Sequence, residues 1–284
     1  MKHYYLFNNA SRATQYGIGT YLNQLSHGLK EEAKVSIISI NSDKEEVKST
    51  EDNGIRTIHI PKISYKNSSD NFQRYYRNLI YLLKTFISEE EAVFMLNYLY
   101  MTPLVKLLHE HFLNCKVVAV VHYLNWCLAL NGNVSKFHQL LESKHRDKKE
   151  EVLYEEYLND RKLLQGVDKV ICLSQATRSL LIADYQFKPE KTTVIYNGLK
   201  DEGRTIAEEE RKKMKQSLSF DAEDSIILFV GRLDSIKGVD FLIKAFRRVL
   251  DVYPYARLIL AGDDSYNICL KAVSYTHLTL PTIA

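Results

Sequence analysis

Residues 225–240 read SIILFVGRLDSIKGVD, an apolar run followed by a loop that carries one arginine and one lysine. The apolar run 225–230 predicts a buried strand, and the helical periodicity of 239–252 predicts a helix. Arg232 and Lys237 are five residues apart between these two elements. Ligands of open α/β sheets bind at the carboxyl ends of strands, and two cations beside a helix N-terminus suit a diphosphate. A pair of solvated loop cations is the alternative.

The same alternation of short apolar runs with longer amphipathic segments extends through most of the 284 residues. It is typical of βαβ units, and therefore predicts an α/β protein with doubly wound parallel sheets. Strands are predicted over residues 4–7, 35–40, 55–60, 92–96, 117–121, 170–173, 191–196, 225–230 and 257–261. Helices are predicted over residues 18–31, 70–88, 102–113 and 239–252, and residues 136–165 predict one long helix or two.

Composition and charge exclude several classes of protein. Lys and Arg number 38 against 35 Asp and Glu, and this net charge of +3 does not favour nucleic acid as a partner. The four cysteines lie far apart in the sequence, which indicates neither a zinc site nor a disulfide framework. Apolar stretches are shorter than the roughly 20 residues that span a bilayer. Residues 1–7 do not resemble a signal peptide, so we expect a cytoplasmic location.

A domain boundary is predicted after Asn197-Gly198, a turn dipeptide that precedes a polar stretch. We expect a first Rossmann-like domain over residues 1–198 and the start of a second over residues 199–272. The second domain is expected to be incomplete, because two strands do not supply the neighbours and covered faces that a doubly wound sheet needs. Residues 273–284 closely resemble translated sequencing adaptor, and we expect them to be foreign to the natural protein.

Two further segments call for interpretation. Gly17 and Gly19 follow the first predicted strand, where free N–H groups and the helix dipole favour an anion. Leu22 occupies the place of the third glycine of a dinucleotide fingerprint, so an NAD site is not indicated, and a plain strand-to-helix turn is an equal alternative. The mixed-sign run 144–151 reads KHRDKKEE. A solvated helix face is the favoured interpretation, and a membrane or partner contact is the alternative.

The segment Val230-Gly231-Arg232-Leu233, with Lys237-Gly238 after it, resembles the phosphate-binding segment of glycosyltransferase family 4. The resemblance extends to the strand at 258–262, and backwards to 167–174, to 194–198 and to the Gly17-Ile18-Gly19 turn. It implies the GT-B fold, in which two doubly wound Rossmann-like domains face a crevice. The second domain would be incomplete in this chain.

The resemblance also implies an activity and a set of site residues. The expected reaction transfers a sugar from a nucleotide-sugar donor to an acceptor with retention of configuration, without a metal or other cofactor. Arg232 and Lys237 are expected to bind and neutralise the donor diphosphate, and Gly17 and Gly19 to cap the same phosphate or to admit the acceptor. His122, at the end of the strand 117–121, is expected to contact the donor sugar; taken alone, such a histidine is more often structural.

The sequence does not identify one acceptor, and the activity of this chain alone is a separate expectation. A glycan, a lipid-linked compound or a peptide is expected as acceptor on the first domain, and peripheral contact with the inner face of a membrane stays open. Family members carry a Glu-x7-Glu segment after the strand that corresponds to 258–262. Two glutamate pairs in this sequence have the same spacing, Glu142/Glu150 in a charged helix and Glu202/Glu210 in a polar linker. We interpret both pairs as coincidences. We therefore expect this chain alone to be inactive, and also poorly soluble, because an unfinished sheet exposes apolar strand edges. A nucleotide-sugar epimerase and a non-catalytic nucleotide-sugar-binding protein are the alternatives.

Overall fold

A computed structural model describes residues 2–10, 17–62, 69–87, 91–199 and 203–262, without the side chains of 69–72 and 235. The chain forms two compact units, residues 1–201 and 202–284, and each has its own sheet. Residues 273–284, interpreted above as foreign, lie outside the described residues. Within the described ranges, none of the helices combines the length and apolarity needed to span a bilayer.

The first unit is built on one large sheet. Its strands are β1 (His3–Asn9), β2 (Lys34–Ser42), β3 (Lys48–Asp52), β4 (Ile55–Pro61), β5 (Ala92–Leu96), β6 (Lys116–Val121), β7 (Lys169–Cys172) and β8 (Thr192–Val194). They are arranged in the order β3-β4-β2-β1-β5-β6-β7-β8. Every neighbouring pair is parallel except β3 and β4, which are antiparallel. The predicted doubly wound parallel architecture is confirmed for this unit.

Seven α-helices are described in the same unit. They are α1 (Gly17–Leu29), α2 (Ser69–Phe86), α3 (Thr102–His111), α4 (Asn125–Ala129), α5 (Val134–Glu142), α6 (Lys148–Gly166) and α7 (Gln175–Ala183). The predicted helical region 136–165 is therefore two helices. Asp147 begins α6 with a capping box, in which its carboxylate accepts from the N–H of Glu150 while the Glu150 carboxylate accepts from the N–H of Asp147. Glu150 is thus a capping residue, which agrees with the interpretation of its spacing from Glu142 as a coincidence.

Buried central strands explain why apolar runs identified this sheet. Leu6 and Phe7 of β1, Phe94 of β5 and Val117 of β6 have no exposed surface. Strands that are covered on both faces select continuous apolar runs rather than alternation. These side chains belong to one continuous core with the inward faces of the helices, such as Ile18 on α1.

Strand β3 was not predicted, because all five of its residues are exposed and polar or charged. It pairs with β4 through a hairpin at Asn53-Gly54, and both residues have positive φ, 50° and 75°. An Asn-Gly pair is a strong signal for such a turn, since both positions need φ above zero. The Asn-Gly pair in the sequence therefore indicated a hairpin turn, although β3 itself has no apolar pattern.

The second unit contains two described strands and two described helices. They are α8 (Glu208–Ser217), β9 (Ser225–Val230), α9 (Val239–Val252) and β10 (Ala256–Ala261), and β9 pairs in parallel with β10. Phe229 packs against the buried cluster of Leu233, Val239 and Ile243. The prediction that 225–230 is a buried strand is wrong for the face that carries Leu228 and Val230, which are 60% and 73% exposed.

Helix α8 was not predicted from the sequence. None of its residues is buried, so it lacks the apolar periodicity by which an amphipathic helix is recognised.

The charged run 144–151 also departs in part from its interpretation as a solvated face. The Arg146 side chain is only 11% exposed, and its guanidinium lies 3.6 Å from the centre of the Tyr154 ring. It donates hydrogen bonds to the carbonyl oxygens of Leu140 and Leu141, at 2.9 and 3.2 Å. Arg146 therefore satisfies free carbonyls at the C-terminal end of α5 and joins this end to α6.

We predict that Arg146→Ala lowers the free energy of unfolding of the first unit by about 1 to 3 kcal/mol, because charged hydrogen bonds and a cation–π contact are lost. Trp126 is the single tryptophan and stacks on Phe137 of α5, with ring centres 4.0 Å apart. Its fluorescence during urea unfolding therefore reports this unit. Lys144→Ala, at an exposed position of the same run, is the matched control and is expected to change little. Equal stabilities of the two variants would contradict the anchoring role.

Candidate functional site

The first candidate site lies where the strand order of the large sheet reverses. From β1 the chain continues to β2 and β4 on one side, and later to β5 and β6 on the other. In open α/β sheets ligands bind outside the carboxyl ends of the strands at this switch point. Polar side chains follow these strands directly: Asn97 comes after β5, and His122 comes after β6.

Asn97 is 2% exposed, and both ends of its side-chain amide are used. Its Nδ2 donates to the carbonyl oxygen of Phe7 at 3.0 Å, which leaves Oδ1 as the acceptor that lies 3.0 Å from His122 Nε2. His122 therefore carries its proton on Nε2, and its Nδ1 is an acceptor. The imidazole also packs at nearly a right angle to the ring of Tyr21 on α1, with ring centres 4.7 Å apart. The structure thus fixes both the tautomer and the orientation of His122.

Burial lowers the pKa of His122 to about 4. The imidazole is consequently neutral at pH 7, and its Nδ1 can accept a hydrogen bond from a hydroxyl group. A neutral ring in a partly enclosed site suits a sugar hydroxyl better than an anionic phosphate oxygen, which would require a protonated donor. The expected contact of His122 with a donor sugar is compatible with this state and stays a prediction.

A cavity of about 330 Å³ opens beside His122. Its walls come from the segments after β5 and β6 and from helices α3 and α6, and its lining includes Asn97, Tyr98, Tyr100, His122, Tyr123 and Asp160. Tyr98 OH donates to Asn8 Oδ1 at 3.4 Å, and Asn9 Nδ2 donates to the Tyr100 hydroxyl, so the end of β1 supports the same wall. The cavity is therefore a part of the switch-point region.

Asp160 is the most unusual group in this lining. It lies on α6, is 6% exposed, and its carboxylate makes no hydrogen bond or ion pair with any residue that the structure describes. Burial, together with the nearby Glu156 carboxylate, raises the pKa of Asp160 to about 7. A buried carboxyl group without a partner costs free energy, and in native proteins such a group calls for an explanation.

Gly17 and Gly19 open helix α1, as the sequence predicts. A Cβ at Gly17 would meet no atom within 4 Å, so packing among the described residues does not demand glycine there. Residues 11–16, which complete the loop after β1, lie outside the described residues. The assignment of both glycines to a phosphate or an acceptor therefore stays a prediction.

The second candidate site is the loop between β9 and α9, which carries Arg232 and Lys237. Asp234 holds this loop: one carboxylate oxygen lies 2.9 Å from Arg232 Nη2, and the other accepts from the backbone N–H of Lys237 at 3.0 Å. The Asp234 side chain is 7% exposed, whereas that of Arg232 is 41% exposed. Within the described ranges, the ammonium group of Lys237 makes no ion pair. The loop therefore presents two cations on a fixed backbone.

The ends of β9 and β10 touch beneath this loop. Gly231 donates its N–H to the carbonyl oxygen of Ala261 at 2.9 Å. Gly262 has a φ of +157°, and a Cβ placed on it would lie 1.7 Å from the carbonyl oxygen of Gly231. Only glycine permits this approach, and the start of the Arg232 loop depends on it.

Both units thus show the α/β architecture of ligand-binding proteins, with polar groups placed at the carboxyl ends of parallel strands. Comparison with known protein families then gives the class. The model of glycosyltransferase family 4 matches residues 16–202, and the model described as glycosyl transferases group 1 matches residues 210–280. The first match covers more than half of the chain, and the protein belongs to glycosyltransferase family 4.

Curated relatives agree with this family. The chain is 34% identical over 114 residues to alpha-monoglucosyldiacylglycerol synthase of Streptococcus pneumoniae, a match over 39% of this chain and 25% of the relative. It is 26% identical over 108 residues to D-inositol 3-phosphate glycosyltransferase of Segniliparus rotundus, a match over 38% of this chain and 24% of the relative. The matches therefore span a quarter or less of the length of these two relatives.

Solved structures confirm the GT-B fold. HepE of Anabaena, in complex with UDP and glucose, superposes with a TM-score of 0.66 at 14% identity, over 96% of this chain and 66% of HepE. A glycosyltransferase from Rickettsia africae gives a TM-score of 0.59 at 16% identity, over 96% of this chain and 64% of that protein. At these identities the likeness concerns the fold.

Two residues of the first site were not identified from the sequence. Asn97 follows an apolar strand directly, which is the same signal that identified His122. Asp160 lies three residues after Tyr157 and four before Leu164, so it belongs to the buried stripe of α6. The abundance of charged residues in this helix hid that position.

The raised pKa of Asp160 predicts a pH-dependent stability. Because the folded-state pKa is about 7 and the ordinary value is 3.8, its contribution is full below about pH 4 and is lost as the pH rises towards 7. We predict that Asp160→Asn unfolds at an increasingly higher temperature than the parent chain as the pH increases from 4 to 7. Thermal unfolding followed by Trp126 fluorescence at several pH values measures this difference.

The unfolding temperature of Asp160→Asn is compared with that of the parent chain at each pH, because His122 changes the stability with pH in the opposite direction. Its pKa is lowered to about 4, so its contribution is present above pH 6.5 and is lost as the pH falls towards 4. This contribution is common to both proteins and cancels. Glu155→Gln, an exposed position on the same helix, is the control. A constant difference between Asp160→Asn and the parent across this range would contradict the burial of a titrating Asp160.

For the second site, we predict that Gly262→Ala destabilises the second unit by at least about 2 kcal/mol, because its Cβ collides with a backbone oxygen at a positive φ. Hydrogen exchange of the β9 and β10 amides is the measurement, and Trp126 fluorescence is expected to stay unchanged. A Cβ at Gly198 would meet nothing within 4 Å, so Gly198→Ala is the matched control. Unchanged exchange in Gly262→Ala would show that the two strand ends do not approach this closely.

Proposed function

We propose that the protein transfers a sugar from a nucleoside diphosphate sugar to an acceptor with retention of anomeric configuration. The observation that carries the proposal is the loop of Arg232 and Lys237, which the buried Asp234 carboxylate fixes between the end of β9 and the start of α9. Membership of glycosyltransferase family 4 supports the reaction class.

The charges of this loop suit the departure of a nucleoside diphosphate. As the bond to the sugar breaks, negative charge grows on the leaving phosphate oxygen, and cations that are already in place stabilise it without reorganisation. Arg232 shares its charge with Asp234, which costs some attraction and gains a defined orientation. Lys237 brings a further positive charge, and the N-terminus of α9 adds its dipole.

Solved relatives suggest the donor to test first. HepE of Anabaena is described in complex with UDP and with UDP-glucose. We propose that this chain also takes a uridine diphosphate sugar. His122 would accept a hydrogen bond from a hydroxyl group of the sugar on Nδ1, and the N–H groups at Gly17 and Gly19 would cap the phosphate or border the acceptor.

Binding of the donor diphosphate is the part of this reaction that the loop of Arg232 and Lys237 can carry by itself. The resemblance also implies a Glu-x7-Glu segment after the strand at 258–262, and residues 224–284 contain no glutamate. Binding of the nucleotide and transfer of the sugar are therefore separate readouts, and the first tests the loop by itself.

We predict that Arg232→Ala and Lys237→Ala each weaken UDP binding about 10- to 100-fold, since a hydrogen bond to a charged group contributes about 1.5 to 3 kcal/mol. Isothermal titration with UDP and with uridine measures the effect, and uridine binding is expected to be unchanged. Lys213→Ala, an exposed lysine of α8 outside the loop, is the control. Equal affinity of the parent chain for UDP and uridine, or unchanged UDP binding in both loop variants, would refute the diphosphate site.

A further inference from the structure

The cavity beside His122 has features that the diphosphate loop does not explain. It belongs to the first unit, between the segments that follow β5 and β6 and the helix α6. Its volume of about 330 Å³ is close to the lower end of small-molecule sites, which are about 300 to 1,000 Å³. A monosaccharide-sized group fits such a space.

Asp160 presents to this cavity a largely buried carboxyl group to which none of the described residues donates a hydrogen bond. Its carboxyl group lines the cavity, is 6% exposed, and has no hydrogen-bonding partner among the described residues. By contrast, the polar groups of Asn97 are fully engaged with Phe7 and His122. A ligand hydroxyl that donates to Asp160 would offset the cost of burying this group.

The remaining walls suit a carbohydrate. Tyr100 and Tyr123 line the cavity and are 44% and 46% exposed, so aromatic surface is available to a ligand. An aromatic ring offers an apolar face to the C–H groups of a pyranose, while carboxyl, amide and imidazole groups bind its hydroxyls. Asp160 would supply an acceptor for one of these hydroxyls, whereas His122 Nδ1 is assigned above to the donor sugar.

The charges of the lining argue against an anionic ligand. Asp160 and Glu156 are acidic, His122 is neutral at pH 7, and Lys162 is the single cation among the lining residues. A phosphate group would meet Glu156 and the ionised fraction of Asp160 in a partly enclosed space, and such repulsion discriminates between ligands. The diphosphate loop has the opposite balance of charge, because it contains two cations, Arg232 and Lys237, and one buried carboxylate, Asp234.

We propose that this cavity binds the acceptor as a neutral pyranose sugar, that Asp160 accepts a hydrogen bond from one of its hydroxyls, and that Asp160 with Glu156 disfavours phosphorylated acceptors. The role as acceptor site rests on the proposed transfer reaction. Binding of the sugar itself does not.

Titration of the full chain with neutral sugars is the first test. The probes are the methyl glycosides of glucose, galactose, mannose and N-acetylglucosamine, and the 6-phosphates of the same sugars, with saturation-transfer NMR and calorimetry as readouts. We expect at least one neutral glycoside to bind, and its 6-phosphate to bind at least about 10-fold more weakly. Absence of binding by all four glycosides, or equal binding of the phosphorylated sugar, would overturn the proposal.

Variants then locate the sugar. Asp160→Asn is expected to weaken the neutral glycoside about 10-fold, the scale of one hydrogen bond to a charged group, and to narrow the gap to the 6-phosphate. Glu155→Gln, exposed and outside the cavity, is expected to leave both affinities unchanged. Tyr123→Ala is a second, partly exposed variant and is also expected to weaken the glycoside, whereas Tyr81→Ala on α2, 64% exposed, is its control. Unchanged glycoside binding in Asp160→Asn and Tyr123→Ala would place the sugar elsewhere.

A last comparison separates the acceptor from the donor sugar. If the cavity holds the acceptor, Asp160→Asn leaves the affinity for UDP-glucose unchanged relative to UDP, and Arg232→Ala leaves the glycoside affinity unchanged. A loss of UDP-glucose affinity in Asp160→Asn, with UDP unaffected, would assign the cavity to the donor sugar and overturn the acceptor role. Failure of UDP to bind the parent chain refutes the proposed function but leaves a measured sugar affinity intact, so the two proposals fail separately.

Discussion

The side-chain amide of Asn97 is the interaction on which the first site depends. It is almost completely buried, donates to the backbone at the end of β1 and accepts from the imidazole after β6, and its own position is set by the end of β5. One amide therefore joins the carboxyl ends of three strands at the switch point. Without it the backbone oxygen of Phe7 and the N–H of His122 would each need another partner, and the tautomer of the histidine would not be fixed.

The second unit solves the same problem with a different group. There the buried carboxylate of Asp234 orients the groups of the site. One of its oxygens pairs with the Arg232 guanidinium, and the other accepts from the backbone N–H of Lys237. In both places the hydrogen bonds of a buried polar side chain are made to neighbouring groups of the same site. The two sites differ in charge, since the amide leaves a neutral imidazole whereas the carboxylate leaves two cations. This difference is the physical basis for assigning a sugar to one and a diphosphate to the other.

Most of the sheet could be predicted from the sequence because its strands are buried on both faces and therefore appear as uninterrupted apolar runs. Elements without such burial escaped: β3 is polar throughout, and α8 has no buried residue. Among the site residues, His122, Arg232 and Lys237 were identified by position and by family resemblance, whereas Asp160 was not. A carboxylate in a charged helix gives no signal of its burial, because that depends on how α6 packs on the segments after β5 and β6. Arg146 escaped for the same reason, since its partners belong to two different helices.

The state of Asp160 has a consequence for how the cavity would meet its ligands. An acid that titrates at about pH 7 is present in two forms under ordinary conditions, and only one of them is charged. The protonated form can donate a hydrogen bond as well as accept one, so it can pair with a carbonyl or an ether oxygen that the carboxylate would repel. The protonation state of Asp160 thus decides whether the cavity favours a ligand hydroxyl, which donates to the carboxylate, or a carbonyl or ether oxygen, which accepts from the carboxylic acid.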